Sequence, residues 1–299
     1  MTGAAVDYSY TVENNSAQLR LDDFLPGCFI GLETKSAVKK AIKKGQVLVN
    51  QQTARTAIIL SAGDMVTWSK PLKDQQRVLQ LELVVVYEDD HLAVIHKPAG
   101  IIVSGNQFRC IENALPGNLK ASGQPDALPA PLAIHRLDGL TSGLLITAKT
   151  YSAHRSMGAQ MQNKAIHKIY TALVMGEPPT HGEWNSPIEG KEALTRYEVL
   201  ESWSSLRSGR LSLVKLFPAT GRTHQLRIHL SQAGFPILGD ALYGDEGQVL
   251  QHKGLFLCAT GLKFYHPVSG EQLELNIDPP PKFKAFPEAE QRRFLKYEE

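Results

Sequence analysis

The chain is poor in the features that mark several large protein classes. Its three cysteines, Cys28, Cys110 and Cys258, stand far apart among 299 residues, which leaves no disulfide framework and no paired metal motif. No run approaches the roughly 18 apolar residues of a membrane-spanning helix, and the N-terminus lacks the basic-then-apolar order of a secretion signal. There is no glycine-rich phosphate loop and no GxSxG elbow, so the simplest nucleotide-hydrolysing and serine-hydrolase readings fall away. A surplus of one charge sign is missing too. Lysine and arginine number 32 against 30 acidic residues, so any contact with nucleic acid must come from local patches. These absences point to a soluble cytoplasmic protein, expected to act as a monomer without membrane contact. His224 and His229 are five residues apart, whereas two ligands on one helical face usually stand four apart, so no metal and no other cofactor is expected.

What is present is enough apolar sequence, 42%, for one large core and a small satellite domain. The small domain is expected over 17–69. Thr34 to Lys44 (TKSAVKKAIKK) predicts a helix with Val38, Ala41 and Ile42 inward and Gly45 as its stop. Lys35, Lys39 and Lys43 recur every four residues, with Lys40 and Lys44 beside them, which makes a dense positive stripe. Short strands are predicted at Val47–Asn50 and Met65–Trp68, the second after a Gly63-Asp64 turn. RLDDFL, the basic helix, GQVLVNQQ and GDMV together resemble the small RNA-binding module named after a small-subunit ribosomal protein. That resemblance implies that Lys35, Lys39, Lys40, Lys43 and Lys44 rest on the phosphate backbone of structured RNA, delivering the chain to it. Ser69 to Val78 (SKPLKDQQRV) has the composition of a linker.

The large domain is expected over 79–299. Strands are predicted at Leu79–Tyr87, His91–His96, Ile169–Met175, Tyr197–Leu200, Leu211–Phe217 and Leu273–Ile277, with helices at Thr150–Ala165 and His224–Ala233. Leu115 to Pro131, rich in Gly, Pro and Ala, reads as a loop. Strands dominate and there is no strict βαβ alternation. This argues for an α+β fold with a mixed, largely antiparallel sheet, beside a small N-terminal α+β domain.

Two stretches concentrate chemistry. Ile134 to Lys149 reads IHRLDGLTSGLLITAK, with Arg136 and Asp138 flanking Leu137 and a buried strand from Gly143. A carboxylate at the mouth of a buried strand is partly desolvated and needs a partner or a task. Taken alone, capping a turn or pairing with Arg136 would serve it as well. Ala219 to Gly244 (ATGRTHQLRIHLSQAGFPILGDALYG) is the second stretch. On its helix Arg227 flanks the apolar stripe of Leu226, Leu230 and Ala233, and a buried guanidinium demands an acceptor, best a carboxylate. Arg222 lies nearer the helix start, where a phosphate would be welcome. As surface phosphate binders or structural ion pairs, the two arginines would fit equally well. Tyr170 opens a strand, a position more often structural than functional.

VVVYEDDHLAVIHKPAG, IHRLDGLTSGLLITAK, HKIYTALV and ATGRTHQLRIHL, in this order, resemble the RluA-type family of pseudouridine synthases over nearly all of Leu83 to Pro280. The resemblance implies that Asp138 is the catalytic aspartate and that Tyr170 packs on the target base. It makes Arg227 the partner of Asp138, and Arg136 the residue that helps hold the target nucleotide out of its stack. In the implied reaction the N-glycosidic bond of a uridine breaks, the uracil turns, and a carbon–carbon bond forms to the same sugar. No atoms enter or leave, so one carboxylate, as nucleophile or base, can suffice without a metal or redox cofactor. Glycoside hydrolysis, by contrast, usually needs two carboxylates and a water. A uracil must leave its helix to be reached, which accounts for an aromatic platform and an arginine wedge. Large-subunit ribosomal RNA is the expected substrate and transfer RNA the alternative. A non-catalytic RNA-binding protein would explain the basic helix but not the joint presence of Asp138, Tyr170 and Arg227. An RNA glycosidase would release free uracil.

Overall fold

The computed structural model describes residues 5–13, 18–29, 31–32, 34–71, 78–244 and 253–298. Its contacts divide the chain into two units, 1–77 and 78–299.

The first unit contains β1 (Ala5–Thr11), α1 (Leu21–Phe24), α2 (Lys35–Lys43), β2 (Val47–Val49), β3 (Gln52–Thr53) and β4 (Met65–Pro71). Its antiparallel sheet runs β1-β4-β2-β3. Helix α2 starts where Thr34 Oγ1 accepts from the Ala37 N–H at 3.2 Å, and Val38, Ala41 and Ile42 are buried as their spacing requires. Two features depart from the sequence reading. Strand β1 lies outside the segment assigned to the small domain and exists by pairing along β4, from Ala5↔Pro71 to Thr11↔Met65. Ser69, Lys70 and Pro71, which have linker composition, are the end of β4. The rest of that linker, 72–77, lies outside the described residues.

The second unit opens with β5 (Val84–Glu88), β6 (Leu92–Lys97), α3 (Ile111–Ala114), β7 (Ala127–Ala133), β8 (Ser142–Thr150) and α4 (Tyr151–Gln162). It continues with β9 (His167–Met175), β10 (His181–Trp184), β11 (Thr195–Ser205), β12 (Gly209–Pro218) and α5 (Gln225–Gln232). Strands β13 (Leu257–Tyr265) and β14 (Gln272–Asn276) and helix α6 (Lys282–Glu298) complete it. The ten strands form one sheet with the path β10-β11-β12-β9-β13-β8-β6-β5, β14 beside β13 and β7 beside β8. All its ladders are antiparallel except β13 with β8. The architecture is thus α+β with a mixed, largely antiparallel sheet.

Alternation along β6 and β8 loads both faces of the sheet. Ala93, Ile95 and Leu145 join the larger core, while Leu92, Val94, Leu144 and Ile146 join a second cluster covered by Met157 of α4. Strand β8 is buried along its whole length, and the residues just before it are therefore carried on the most rigid part of the sheet.

Some elements differ from the sequence reading for physical reasons. Residues 79–83 alternate apolar and polar as a strand would, but are irregular. Asn118 replaces a ladder there, accepting from the Leu83 N–H and donating to the Leu81 carbonyl, each at 2.8 Å. Within the expected 115–131 loop, Ala127–Ala133 pairs with β8, with a register break where Pro129 and Pro131 withhold donors. Helix α6 has no counterpart in the sequence reading. It is held by tertiary contacts, among them Phe283 and Phe286 against Phe256 and Glu290 accepting from Ser205.

The single parallel junction sets one strict requirement. Ser142 and Gly143 face Cys258 and Ala259, and Gly143 has φ 115°, where a Cβ would overlap the Ala259 backbone. Gly143→Ala is expected to destabilise the protein by about 3 kcal/mol or more, read as a lowered midpoint in urea. A midpoint within error of the wild type would show that β8 and β13 need no such close approach.

Candidate active site

The residues from His135 to Thr141 link β7 to β8 and form a loop clamped from below. Lys97, at the end of β6, is fully buried. Its ammonium donates to the carbonyls of Pro98 at 2.9 Å, Gly139 at 3.2 Å and Thr141 at 2.8 Å. Three acceptors match the three protons of an ammonium. Burial lowers the Lys97 pKa to about 8, with the charge of Asp138 partly opposing. Further ties are Thr141 N to the Asp138 carbonyl at 3.0 Å and Gly100 N to the Gly139 carbonyl at 2.8 Å. His135, buried behind the loop, accepts from the Ile146 N–H through Nε2 at 3.2 Å. Burial, with the charge of Lys168 adding, pushes its pKa down to about 3, so this imidazole is neutral.

Asp138 is thereby presented just ahead of the interior strand β8, its side chain 22% exposed. Arg227 Nη1 stands 4.0 Å from Asp138 Oδ2, and His224 Nε2 stands 3.9 Å from Oδ1. The sequence reading makes Arg227 the partner of Asp138, yet its closest acceptor is another carboxylate. Arg227 Nε and Nη2 donate to Asp240 Oδ2 and Oδ1, each at 2.7 Å, in a buried bidentate pair. Burial opposes the Arg227 charge, but Asp240 outweighs it and raises the pKa, with Asp138 and Tyr243 adding. The guanidinium carbon also lies 4.9 Å from the Tyr243 ring centroid.

His224 precedes α5 with φ 55°, a left-handed conformation that is strained for this residue type, and its Nδ1 lies 3.0 Å from the Tyr243 hydroxyl. Gln225 locks the helix start, accepting from Thr220 Oγ1 and the Arg222 N–H and donating to Leu194 O and Thr195 Oγ1. Arg222 is exposed, with Nε donating to the Glu192 carbonyl at 2.9 Å. His229 turns elsewhere, to Thr195 Oγ1 and Ser186 O, so the two histidines of α5 do not converge. Among the described residues no group of three His, Cys, Asp or Glu side chains is placed to hold a metal ion.

One cavity of about 940 Å³ brings together Arg136, Asp138, Tyr170, Arg222 and Arg227. Tyr170 on β9 is buried, and burial with the Asp138 charge raises its phenol well above the usual range, so it remains protonated. Arg136 is exposed and has neither ion pair nor hydrogen bond from its guanidinium to the described residues. Lys97, His224, Asp240 and Tyr243 are members of this arrangement that sequence reasoning missed. The fused signals were the Lys97-Pro98 pair after a buried strand and Asp240 within the GDALYG run.

The four lysines of α2 and Lys44, which caps its end, are all exposed. Lys35 pairs with Asp23, and Lys39 lies 3.6 Å from Asp22. Lys40, Lys43 and Lys44 have no acidic partner among the described residues, so the stripe carries less free charge than a count of five suggests.

Comparison with known proteins bears on both units. Residues 91–232 match the family described as RNA pseudouridylate synthase, and residues 19–66 match the S4 domain. The chain is 35% identical to Ribosomal large subunit pseudouridine synthase C of Vibrio vulnificus, across 89% of this chain and 90% of that protein. Its identity to the Escherichia coli protein of the same name is 36%, across 87% and 89%. Among solved structures, Human RNA Pseudouridylate Synthase Domain Containing 4 superposes with a TM-score of 0.55 at 26% identity, covering 70% of this chain and 93% of that one. An isomerase that works on RNA, with an RNA-binding S4 domain ahead of it, is the class so defined. The chain belongs to the RluA-type family of RNA pseudouridine synthases.

The buried lysine makes a pH prediction with opposite signs for stability and turnover. Lys97 titrates near 8 in the fold and near 10.5 when unfolded, so the unfolded chain binds more protons between those values. This residue's contribution to stability therefore rises with pH from about 8 to about 10.5. Turnover is expected to fall over the same window as the ammonium that clamps the loop is lost. Single-turnover rates should show an apparent pKa near 8 that is absent from a slow Lys97→Met variant. A wild-type profile level through pH 9.5 would contradict the clamp.

Proposed function

We propose that this enzyme isomerises particular uridines of large-subunit ribosomal RNA, acting in the cytoplasm as a monomer. The observation that carries the chemical part is the placement of one partly exposed carboxylate, Asp138, in a cavity with a buried tyrosine and a guanidinium that gives two of its donors to another acid. The substrate rests on the relatives, whose names specify the ribosomal large subunit.

In this reading Asp138 is the catalytic carboxylate that assists cleavage of the N1–C1′ bond of uridine. Once the uracil has turned, a C5–C1′ bond forms, the C5 proton passes to solvent and N1 is reprotonated, so the balance closes without a co-reactant. Arg227, held back by Asp240, sets a positive charge near Asp138 without a contact that would tie up its oxygens. Tyr170 offers a ring face to the base, and its protonated phenol adds no second negative charge. Arg136, free at the cavity mouth, is placed to occupy the space that a flipped nucleotide leaves. Arg222 is placed for a phosphate oxygen. The α2 lysines, led by Lys40, Lys43 and Lys44, supply salt-sensitive contacts to the RNA backbone.

Pseudouridine mapping in cells lacking the gene tests the proposal. Large-subunit ribosomal RNA is expected to lose pseudouridine at particular positions and to regain it when the gene is restored. Loss confined to transfer RNA would contradict the proposed substrate, and release of free uracil by the purified enzyme would contradict isomerisation.

A further inference from the structure

Six lysines of the second unit are buried or half-buried, and five of them have partners, Lys215 and Lys263 lying 3.8 Å from Glu198 and 3.5 Å from Glu274. Lys97 has three carbonyls. Lys149 donates to Glu88 Oε1 at 2.8 Å and to the Asp89 carbonyl at 2.5 Å. Lys282 donates to the carbonyls of Lys253 at 2.9 Å and Leu255 at 3.0 Å. Lys168 is the exception: among the described residues it has no hydrogen-bond acceptor and no carboxylate within 4.0 Å. It is half-buried, lines the same cavity as Asp138 and Tyr170, and has the neutral ring of His135 near it. A lone ammonium held partly out of water is costly unless an anion arrives to meet it.

Of the cavity's other cations, Arg227 gives two donors to Asp240, Arg196 lies 3.6 Å from Glu183, Lys263 lies 3.5 Å from Glu274 and Arg222 donates to Glu192 O. Arg136 and Lys164, without side-chain partners among the described residues, are exposed to water. Position along β9 then indicates what Lys168 awaits. His167 is exposed, Lys168 half-buried and Tyr170 buried, so the strand runs from the cavity rim to its floor. Residues two apart on a strand point to the same side, about 6.8 Å from one another. If a base lies against Tyr170, the group beside Lys168 is the sugar-phosphate of the same nucleotide. A uracil carbonyl would satisfy a hydrogen bond but leave the ammonium's charge unpaired. A phosphate supplies both, and RNA carries one at every step.

We propose that Lys168 binds a phosphate flanking the target uridine, and so anchors the flipped nucleotide while its base is detached and turned. This rests on the reading of the cavity as the uridine site. The contact holds the sugar-phosphate alike before and during the reaction, so its loss is read in KM.

The test uses the full-length enzyme and a synthetic RNA that carries the uridine identified by mapping. Each of the two phosphates flanking that uridine is replaced in turn by an uncharged methylphosphonate. Lys168→Met keeps the packing of the stem and removes the charge. On ordinary RNA it is expected to raise KM about tenfold at an unchanged melting temperature, the scale of one lost charge-assisted contact. One of the two methylphosphonates should weaken the wild type by a similar factor, and the Met variant by less than about twofold. That loss of additivity belongs to a direct contact and would not follow from a structural role. Losses that multiply at both positions would overturn the proposal, as would a fall in kcat with KM unchanged. Wild-type enzyme that binds this RNA without forming pseudouridine would sink the functional reading instead, and the same binding comparison would still decide whether Lys168 meets a phosphate.

Discussion

The site depends on how the charge of Arg227 is shared between two carboxylates. Asp240 takes the guanidinium in a buried, two-bonded grip, and Asp138 receives only what remains, at 4.0 Å. Asp240 is itself fixed, its Oδ1 accepting from the backbone N–H groups of Leu242 and Tyr243 at 3.0 and 3.1 Å. Hydrogen bonds and the Arg227 charge overcome its burial and keep its pKa below the usual carboxylate range. Helix α5, the turn after residue 239 and the loop that carries Asp138 are therefore coupled through one planar cation. A buried pair of this kind does little for net stability, but losing one partner costs about 3–5 kcal/mol because the other is stranded. Its value here is positional.

This arrangement answers a problem that any single-carboxylate site faces. In the proposed reaction Asp138 acts in a pocket that also receives an uncharged base, and a cation bonded directly to it would occupy the oxygens needed there. The fold places cations near Asp138 and gives each of the closest ones other work. Lys97 spends its three protons on carbonyls of the loop and its surroundings, and Arg227 spends two donors on Asp240. His135 is buried neutral, and Tyr170 keeps its proton. The field at Asp138 is favourable while its oxygens stay available.

Much of this was legible in the sequence because the motifs are local. The buried strand after Asp138, the inward face of α2 and the apolar stripe of α5 follow from spacing alone. The resemblance to pseudouridine synthases supplied the grouping of Asp138, Tyr170 and Arg227, and the cavity does bring the three together. What was not legible depends on long-range pairing. Asp240 and Arg227 are 13 residues apart, and Lys97 reaches Thr141 across 44 positions. Strand β1 and helix α6 exist because β4 and β11 lie beside them, which composition does not encode. The acidic neighbours of Lys35 and Lys39 were not legible for a related reason, since Asp23 and Asp22 come from a neighbouring short helix.

The account stands on Asp138 being the reacting carboxylate, and a substitution that changes its charge but not its shape tests that most directly. Asp138→Asn, incubated in excess over RNA carrying the mapped uridine, is expected to bind that RNA with near wild-type affinity and to form no pseudouridine above background. Appreciable conversion by the purified variant, with deamidation back to aspartate ruled out by mass spectrometry, would contradict the account.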